Sequence, residues 1–167
     1  MYRSQHSRRP IEILLVEDNP GDVRLIQEVL TEVVSSCRLH VATDGQEGLD
    51  FLQKSGRYSG APSPDLVLLD LNLPKRGGDE VLAEIKRDPR TKCTPVIVLT
   101  SSKADGNVER VYNLNANCYV QKPSDLDGML AVLHAIKAFW LEWAVLPSPR
   151  GRAGPKADSR LACSELM

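Results

Sequence analysis

The sequence lacks a long hydrophobic run. No apolar stretch in its 167 residues approaches the roughly 20 residues that a membrane-spanning helix needs. Residues 1–10 contain three arginines without an apolar core behind them, and residues 11–16 are too short for the hydrophobic region of a secretory signal. We therefore predict a cytoplasmic protein with no membrane partner, in which residues 1–10 form a flexible segment.

Clustered cysteines and a net basic charge are also absent. The four cysteines are far apart, with no Cys-x-x-Cys pair and no histidine at zinc-ligand spacing, so we expect free reduced thiols. The net charge is −1, and both ends of the chain are basic, so the body between them is acidic. An acidic body argues against nucleic acid as the main partner. The P-loop, the dinucleotide-binding glycine fingerprint and the His-Glu-x-x-His motif are all missing.

What the sequence does contain is a regular alternation of two patterns. Five short runs are rich in β-branched residues or leucine and are mostly apolar, at residues 11–16, 39–42, 66–69, 96–99 and 118–120. Such runs favour parallel strands that are buried on both faces. Helical spacing of apolar residues lies between them, first in the face formed by Ile26, Val29, Leu30 and Val33. Five β–α units with right-handed crossovers predict an α/β fold, in which a five-stranded parallel sheet is the middle of three layers.

The fifth helix and the chain after it have features of their own. Ser124 and Asp127 have the spacing of a capping box, so we expect the helix to begin there and to extend to about Trp143. From Pro147 onward the composition changes to Pro, Ser, Gly, Arg and Lys. We predict that residues 147–167 form a disordered tail.

Polar side chains follow four of the predicted strands. Glu17 and Asp18 follow the first, Asp70 the third, Thr100 the fourth and Lys122 the fifth. Ligands of open α/β sheets bind at this carboxyl edge, so these side chains should converge there. Each of them alone is an ordinary loop or strand-end residue, and the prediction depends on their joint occurrence.

A site with three converging carboxylates needs positive charge. Two carboxylates about 4 Å apart repel by about 4 kcal/mol at an effective dielectric constant of about 20. Lys122 offsets part of this repulsion, and a divalent cation that prefers oxygen ligands, Mg²⁺, would offset more. A carboxylate beside such a cation can act as a nucleophile toward phosphorus.

These residues and their surroundings resemble the receiver family of two-component response regulators. The matching motifs are residues 13–19 (ILLVEDN), 70–74 (DLNLP), 77–78 (GG), 96–102 (VIVLTSS), and Tyr119 with the Lys122-Pro123 pair. The resemblance covers most of a domain that we place at residues 11–146. It implies a flavodoxin-like (βα)5 fold with the strand order 2-1-3-4-5.

The resemblance also implies how the acceptor and the metal are arranged. Asp70 would be the phosphoacceptor and would take its phosphoryl group from a phosphohistidine of a sensor histidine kinase. Asp18, Asp70 and the backbone carbonyl of Asn72 would bind Mg²⁺, and Glu17 would contribute through a water molecule.

Three further residues are implied to respond to phosphorylation. Lys122 would pair with the acceptor and then with the phosphoryl group, and Thr100 would hydrogen-bond a phosphoryl oxygen. Tyr119 would rotate into the space that Thr100 vacates. The Lys122-Pro123 peptide bond is cis in the family, and cis bonds are essentially confined to proline.

A narrower resemblance connects the chain with the small regulators of bacterial phytochrome kinases. It is carried by residues 19–22 (NPGD), 73–78 (LPKRGG), and Phe139-Trp140 followed by Leu146-Pro147. It implies that the sensor kinase is a bacteriophytochrome.

The output of such a protein is expected to be another protein. The 21 residues from Pro147 to the last residue are too few for a DNA-binding domain, so we expect a stand-alone receiver with an unidentified downstream protein. The fifth helix is apolar over more than one face and is rich in tryptophan, which is more than a monomer usually exposes. We predict a homodimer through the fourth and fifth helices, with an interface formed by Phe139, Trp140, Trp143 and Leu146.

Two other functions remain open on the sequence. The first is a flavodoxin-like adaptor that is never phosphorylated, although the acceptor, the lysine and the threonine are all intact. The second, less favoured, is a Mg²⁺-dependent phosphohydrolase of the haloacid-dehalogenase kind. That family has the motif Asp-x-Asp at its nucleophile, whereas this chain has Asp70-Leu71-Asn72 and lacks the second aspartate.

Overall fold

Strands and helices alternate along the chain. The computed structural model describes residues 9–31, 37–101 and 106–147. The strands are β1 (Ile11–Val16), β2 (Cys37–Ala42), β3 (Leu66–Leu69), β4 (Val96–Thr100) and β5 (Cys118–Gln121). The helices are α1 (Pro20–Thr31), α2 (Gly45–Gln53), α3 (Gly78–Arg87), α4 (Asn107–Asn113) and α5 (Leu126–Lys137). A short 3₁₀ turn, Gly56–Tyr58, follows α2, and α5 continues into a π-helical segment, Ala138–Trp143.

The five strands form one parallel sheet in the order β2-β1-β3-β4-β5. The predicted α/β fold and the strand order implied by the resemblance are therefore confirmed. Val16 pairs with Ala42 on one side and with Leu69 on the other, and Leu69 pairs with Val98. Because the strands end at nearly the same level, the residues that follow them meet at one edge of the sheet.

Alternate residues of the strands build two separate cores. Leu14 and Val16 face the layer of α2, α3 and α4, whereas Ile13 and Leu15 face the layer of α1 and α5. All four are at most 2% exposed. Burial on both faces explains why β3 is apolar at every position and why β1 and β4 each contain only one polar residue, Glu12 and Thr100.

Two local expectations about residues 122–125, between β5 and α5, are wrong. Helix α5 is capped by Asp125, whose carboxylate accepts a hydrogen bond of 2.7 Å from the Gly128 N–H, and not by Ser124. The Asp125 carboxylate accepts from the N–H three residues ahead, as a serine cap would, and adds a favourable charge at the helix amino end, so the helix begins one residue later. No peptide bond among the described residues is cis, so the implied cis bond at Lys122-Pro123 is also incorrect. The trans isomer is the intrinsically preferred one for a bond before proline.

Several expectations concern residues outside the described ranges. These are residues 1–8 of the amino-terminal segment, Val33 of the first apolar face, and residues 148–167 of the tail. At the carboxyl end of the amino-terminal segment, the Arg9 guanidinium pairs with the buried Asp65 carboxylate. Arg9 Nη1 donates to Asp65 Oδ2 over 2.8 Å. Within the described residues, none of the helices has the length and apolarity needed to cross a membrane.

Candidate functional site

The structure brings Glu17, Asp18, Asp70, Thr100 and Lys122 together at the carboxyl edge of the sheet. Backbone hydrogen bonds hold the segments that carry them. The Asp70 N–H donates to the Val16 carbonyl over 3.0 Å, and the Lys122 N–H donates to the Thr100 carbonyl over 2.8 Å. The strand ladder thus continues by one residue at each point and sets the positions of the acidic and basic side chains.

Lys122 lies at the centre of the site. Its Nζ donates to Glu17 Oε2 over 2.6 Å, to Asp70 Oδ2 over 2.8 Å and to Asp22 Oδ2 over 2.8 Å. The Lys122 side chain is only 7% exposed. An ammonium group has three protons, and here each one has a carboxylate acceptor.

Asp70 is buried and accepts hydrogen bonds through both oxygens. Oδ2 receives the Lys122 ammonium, and Oδ1 receives the Thr100 hydroxyl over 2.9 Å and the Asn72 N–H over 3.0 Å. Since the threonine is the last residue of β4 and the lysine follows β5, the aspartate connects three strands.

The electrostatics of the site favour an ionised acceptor. Burial by itself would raise the pKa of Asp70, but the hydrogen bonds from Lys122, the Asn72 N–H and Thr100 outweigh it, so the pKa is lowered. Burial dominates at Glu17 and raises the pKa of that carboxyl despite its contact with Lys122. Burial opposes the charge of Lys122 as well, but Asp22, Asp70 and Glu17 together raise its pKa.

The donor atoms suit a hard divalent cation. Carboxylate oxygens of Glu17, Asp18 and Asp70 lie within 4.8 Å of one another. With Asp22 included, the described residues place four carboxylates and one ammonium at this site, so Lys122 does not balance most of the negative charge. An all-oxygen set with excess negative charge fits Mg²⁺ or Mn²⁺, because both prefer carboxylate, carbonyl and water ligands.

Asn72 lies beside Asp70, whereas the predicted switch residue Tyr119 and the predicted interface residues lie outside this cluster. Tyr119 is in β5, where its N–H donates to the Tyr112 hydroxyl over 3.2 Å and its side chain packs partly buried against the core on the α2–α3 side. Phe139 and Trp143 are 58% and 77% exposed. Trp140 is partly buried against the core on the α1–α5 side.

Asp22 is the one residue of the cluster that the sequence analysis did not single out. It is an acidic residue in the first turn of α1, where such residues commonly complement the helix dipole. Its sequence signal is its place in the Asn-Pro-Gly-Asp motif, which supports the family resemblance but indicates no particular chemistry. Its contact with Lys122 spans 100 residues of sequence and depends on the packing of α1.

The loop that carries Asp70 depends on a glycine. A Cβ at Gly78 would lie 2.1 Å from the Asp70 carbonyl oxygen and 2.6 Å from Leu71 Cα. We expect Gly78→Ala to lower the free energy of unfolding by about 2 kcal/mol, because both neighbouring atoms are backbone and cannot move aside cheaply. Gly60→Ala is the matched control, since a Cβ there meets nothing within 4 Å. Equal stability of the two variants in urea unfolding would contradict this prediction.

Comparisons with known proteins agree with the geometry of the site. Residues 13–134 match the family model described as the response regulator receiver domain. Response regulator Rcp1 of Synechocystis sp. (strain ATCC 27184 / PCC 6803 / Kazusa) is 46% identical over 145 residues, which are 87% of this chain and 99% of that protein. The Mn²⁺-bound crystal structure of Rcp1 has a TM-score of 0.81 over 83% of this chain and 100% of that one.

Two further solved structures are similar over nearly their whole length. One is the phosphorylated cyanobacterial phytochrome response regulator RcpA, at 45% identity and a TM-score of 0.81, covering 83% of this chain and 99% of that chain. The other is the bacteriophytochrome response regulator AtBRR, at 38% identity and a TM-score of 0.65, covering 84% and 99%.

Proposed function

Because the chain belongs to the response regulator receiver family of signalling proteins, we propose that Asp70 accepts a phosphoryl group from a phosphohistidine of a sensor kinase. The observation that carries this assignment is the buried Asp70 carboxylate, held by Lys122 and Thr100 beside the Glu17 and Asp18 oxygens. This arrangement combines a fixed nucleophile, a cation and a set of metal ligands at one edge of the sheet.

The transfer is a displacement at phosphorus. An Asp70 carboxylate oxygen forms the new O–P bond while the N–P bond of the phosphohistidine breaks, and the imidazole keeps the bonding electron pair. Asp18, Asp70 and the Asn72 carbonyl are the proposed Mg²⁺ ligands, with Glu17 acting through a water molecule. The bound cation would neutralise charge on the transferring group. The lowered pKa of Asp70 keeps the nucleophile ionised at neutral pH.

Thr100, Lys122 and Tyr119 are the proposed responders to the phosphoryl group. Thr100 and Lys122 already donate to Asp70, so each can transfer its hydrogen bond to a phosphoryl oxygen with a small movement. Movement of Thr100 draws the end of β4 inward, and Tyr119 on the neighbouring strand β5 turns into the vacated space. Shifting the equilibrium between the unphosphorylated and phosphorylated conformations from 1:99 to 99:1 needs about 5.5 kcal/mol of differential stabilisation. New charge-assisted hydrogen bonds to the phosphoryl group contribute to it.

We assign a bacteriophytochrome as the kinase, with the cytoplasm as the compartment in which it meets this chain. The support is that RcpA and AtBRR are named as phytochrome or bacteriophytochrome response regulators. In this proposal the protein catalyses only its own phosphorylation and dephosphorylation, and both take place at Asp70.

Phosphotransfer from a purified bacteriophytochrome kinase tests this function. With the kinase autophosphorylated on ³²P-ATP and then freed of nucleotide, label should move to this protein in the presence of Mg²⁺. Chelation by EDTA after the autophosphorylation step should stop the transfer, because the carboxylates around Asp70 then repel the incoming phosphoryl group. Transfer at the same rate with EDTA would contradict the metal-dependent site.

We further propose that a second copy of the chain packs on the α4–α5 side. Five large apolar side chains are exposed on α4 and on the segment that follows α5, at Val108, Tyr112, Phe139, Trp143 and Val145. An exposed tryptophan and phenylalanine of this kind are typical of the buried centre of a protein interface. Trp140 would support this surface from beneath, since its ring packs edge-on against Phe139 at 5.4 Å. Leu146 would reach onto the partner copy.

Sedimentation velocity tests the dimer. The wild-type protein should sediment as a dimer at micromolar concentration, and Phe139→Ala with Trp143→Ala should shift it to a monomer by removing the exposed aromatic contacts. Leu126→Ala is a suitable control, because Leu126 is also exposed (61%) but lies at the opposite end of α5. A monomer for the wild-type protein, both with and without phosphorylation, would overturn the proposal.

A further inference from the structure

Asp22 occupies an unusual position in the site, because it contacts the lysine and not the metal ligands. Its Oδ2 accepts from Lys122 Nζ over 2.8 Å, and its side chain is 32% exposed. Among the described residues, the carboxylate group with metal-ligand spacing consists of Glu17, Asp18 and Asp70, and it does not include Asp22. Asp22 is therefore placed to contact Lys122 without being one of the carboxylates that have metal-ligand spacing.

The start of α1 fixes Asp22 in this position. The Asn19 side-chain oxygen accepts from the Gly21 N–H over 2.9 Å and from the Asp22 N–H over 3.1 Å. Pro20 at the first helical position restricts the backbone further. Asp22 is thus held by the cap of its own helix, independently of what binds beside Asp70.

The hydrogen-bond count at Lys122 gives Asp22 a consequence for phosphorylation. All three ammonium protons are directed at carboxylates, so a phosphoryl oxygen must compete for one of them. The phosphoryl group brings about −1.5 to −2 charges to a site where Asp22 already contributes one. Both effects weaken the binding of a phosphoryl group, whereas the negative charge of Asp22 strengthens the binding of a cation.

We propose that Asp22 is a positioning residue for Lys122 that favours the metal-loaded, unphosphorylated state over the phosphorylated one. It holds one proton of the ammonium on the α1 side and adds a negative charge that the bound cation does not use directly. The inference rests on the proposed function, since it concerns the affinity of the Asp70 site for two ligands of opposite charge.

The test compares Asp22→Asn with wild-type protein in two binding measurements. Mn²⁺ affinity is read from the electron paramagnetic resonance signal of the free aqueous ion. Affinity for beryllofluoride, an analogue of the phosphoryl group, is measured by titration calorimetry at saturating Mg²⁺. The asparagine is isosteric but neutral, so we expect Mn²⁺ to bind about fivefold more weakly and beryllofluoride about fivefold more tightly, the size of effect of one partly exposed charge.

Glu28→Gln is the matched control. Glu28 is on the same helix, has the same charge and pairs only with the exposed Arg24 in the described contacts, so neither affinity should change. A merely structural role for Asp22 would weaken both ligands together, and that result, or no change in either, would overturn the inference. Failure of the wild-type protein to bind beryllofluoride, or binding that survives Asp70→Asn, would instead refute the proposed function and the inference with it.

Discussion

Asp70→Asn should abolish labelling of the protein by acetyl phosphate and by phosphoramidate. The amide that replaces the carboxylate is not a nucleophile toward phosphorus, and the nearby Glu17 and Asp18 are not placed to substitute for it. Glu17 Oε2 is engaged by Lys122, and Asp18 lies exposed at the rim without the hydrogen bonds that hold Asp70 in place. The measurement is incorporation of ³²P at saturating Mg²⁺, or the mass of the intact protein.

The control for this variant is Asp127→Asn, an exposed aspartate in the first turn of α5 that makes the same change in charge. It should label like the wild-type protein. Full labelling of Asp70→Asn would mean that another residue is the phosphoacceptor. The proposed site would then be wrong, even though the family assignment would stand.

Lys122→Ala should produce the largest change in stability. It removes the ammonium that pairs with three of the carboxylates in the described site and leaves Asp70 and Glu17 buried without this cationic partner. Removing one partner of a buried ion pair typically costs about 3–5 kcal/mol, so we expect a loss of that size in the metal-free protein. Because a divalent cation supplies positive charge to the same oxygens, Mg²⁺ should recover more stability in the variant than in the wild-type protein.

The sign of the pH dependence follows from Asp70. In the wild-type protein the pKa of Asp70 is lowered on folding. Its ionised form therefore stabilises the folded state at pH values above the usual pKa of aspartate. That contribution is lost as the pH falls through the lowered value. Lys122 is a main cause of the shift, so the difference between variant and wild-type protein should be greatest near neutral pH and should shrink in acid. Urea unfolding at several pH values, with and without Mg²⁺, measures this.

Lys122→Ala also separates phosphorylation of Asp70 from the conformational response to it. Asp70 and the acidic ligands remain, so Lys122→Ala should still be labelled by acetyl phosphate, but the change in amide chemical shifts along β4 and β5 should be reduced. Lys92→Ala is the control, since that lysine is exposed. Unchanged stability without metal, or a full response along both strands, would show that Lys122 does not have the role assigned here.

The sheet and its active edge were predictable because they depend on local patterns. Runs such as Leu66–Leu69 are apolar at every position, and only burial on both faces of a parallel sheet explains that. Once the strands are parallel, whatever follows them must meet at one edge. Glu17, Asp70 and Lys122 could therefore be placed together without knowing a single distance.

The contacts that decide how the site works belong to the tertiary structure. Asp22 has the sequence signal of an ordinary first-turn helix residue, and it joins Lys122 only because α1 packs beside the strand ends. Likewise, Asp125 and not Ser124 caps α5, because the structure places the Asp125 carboxylate within reach of the Gly128 N–H. Periodicity along the chain determines which elements form and which edge carries the chemistry, because it reports burial. The partner of each proton depends on distances of a few tenths of an ångström between elements far apart in sequence, and only packing sets those.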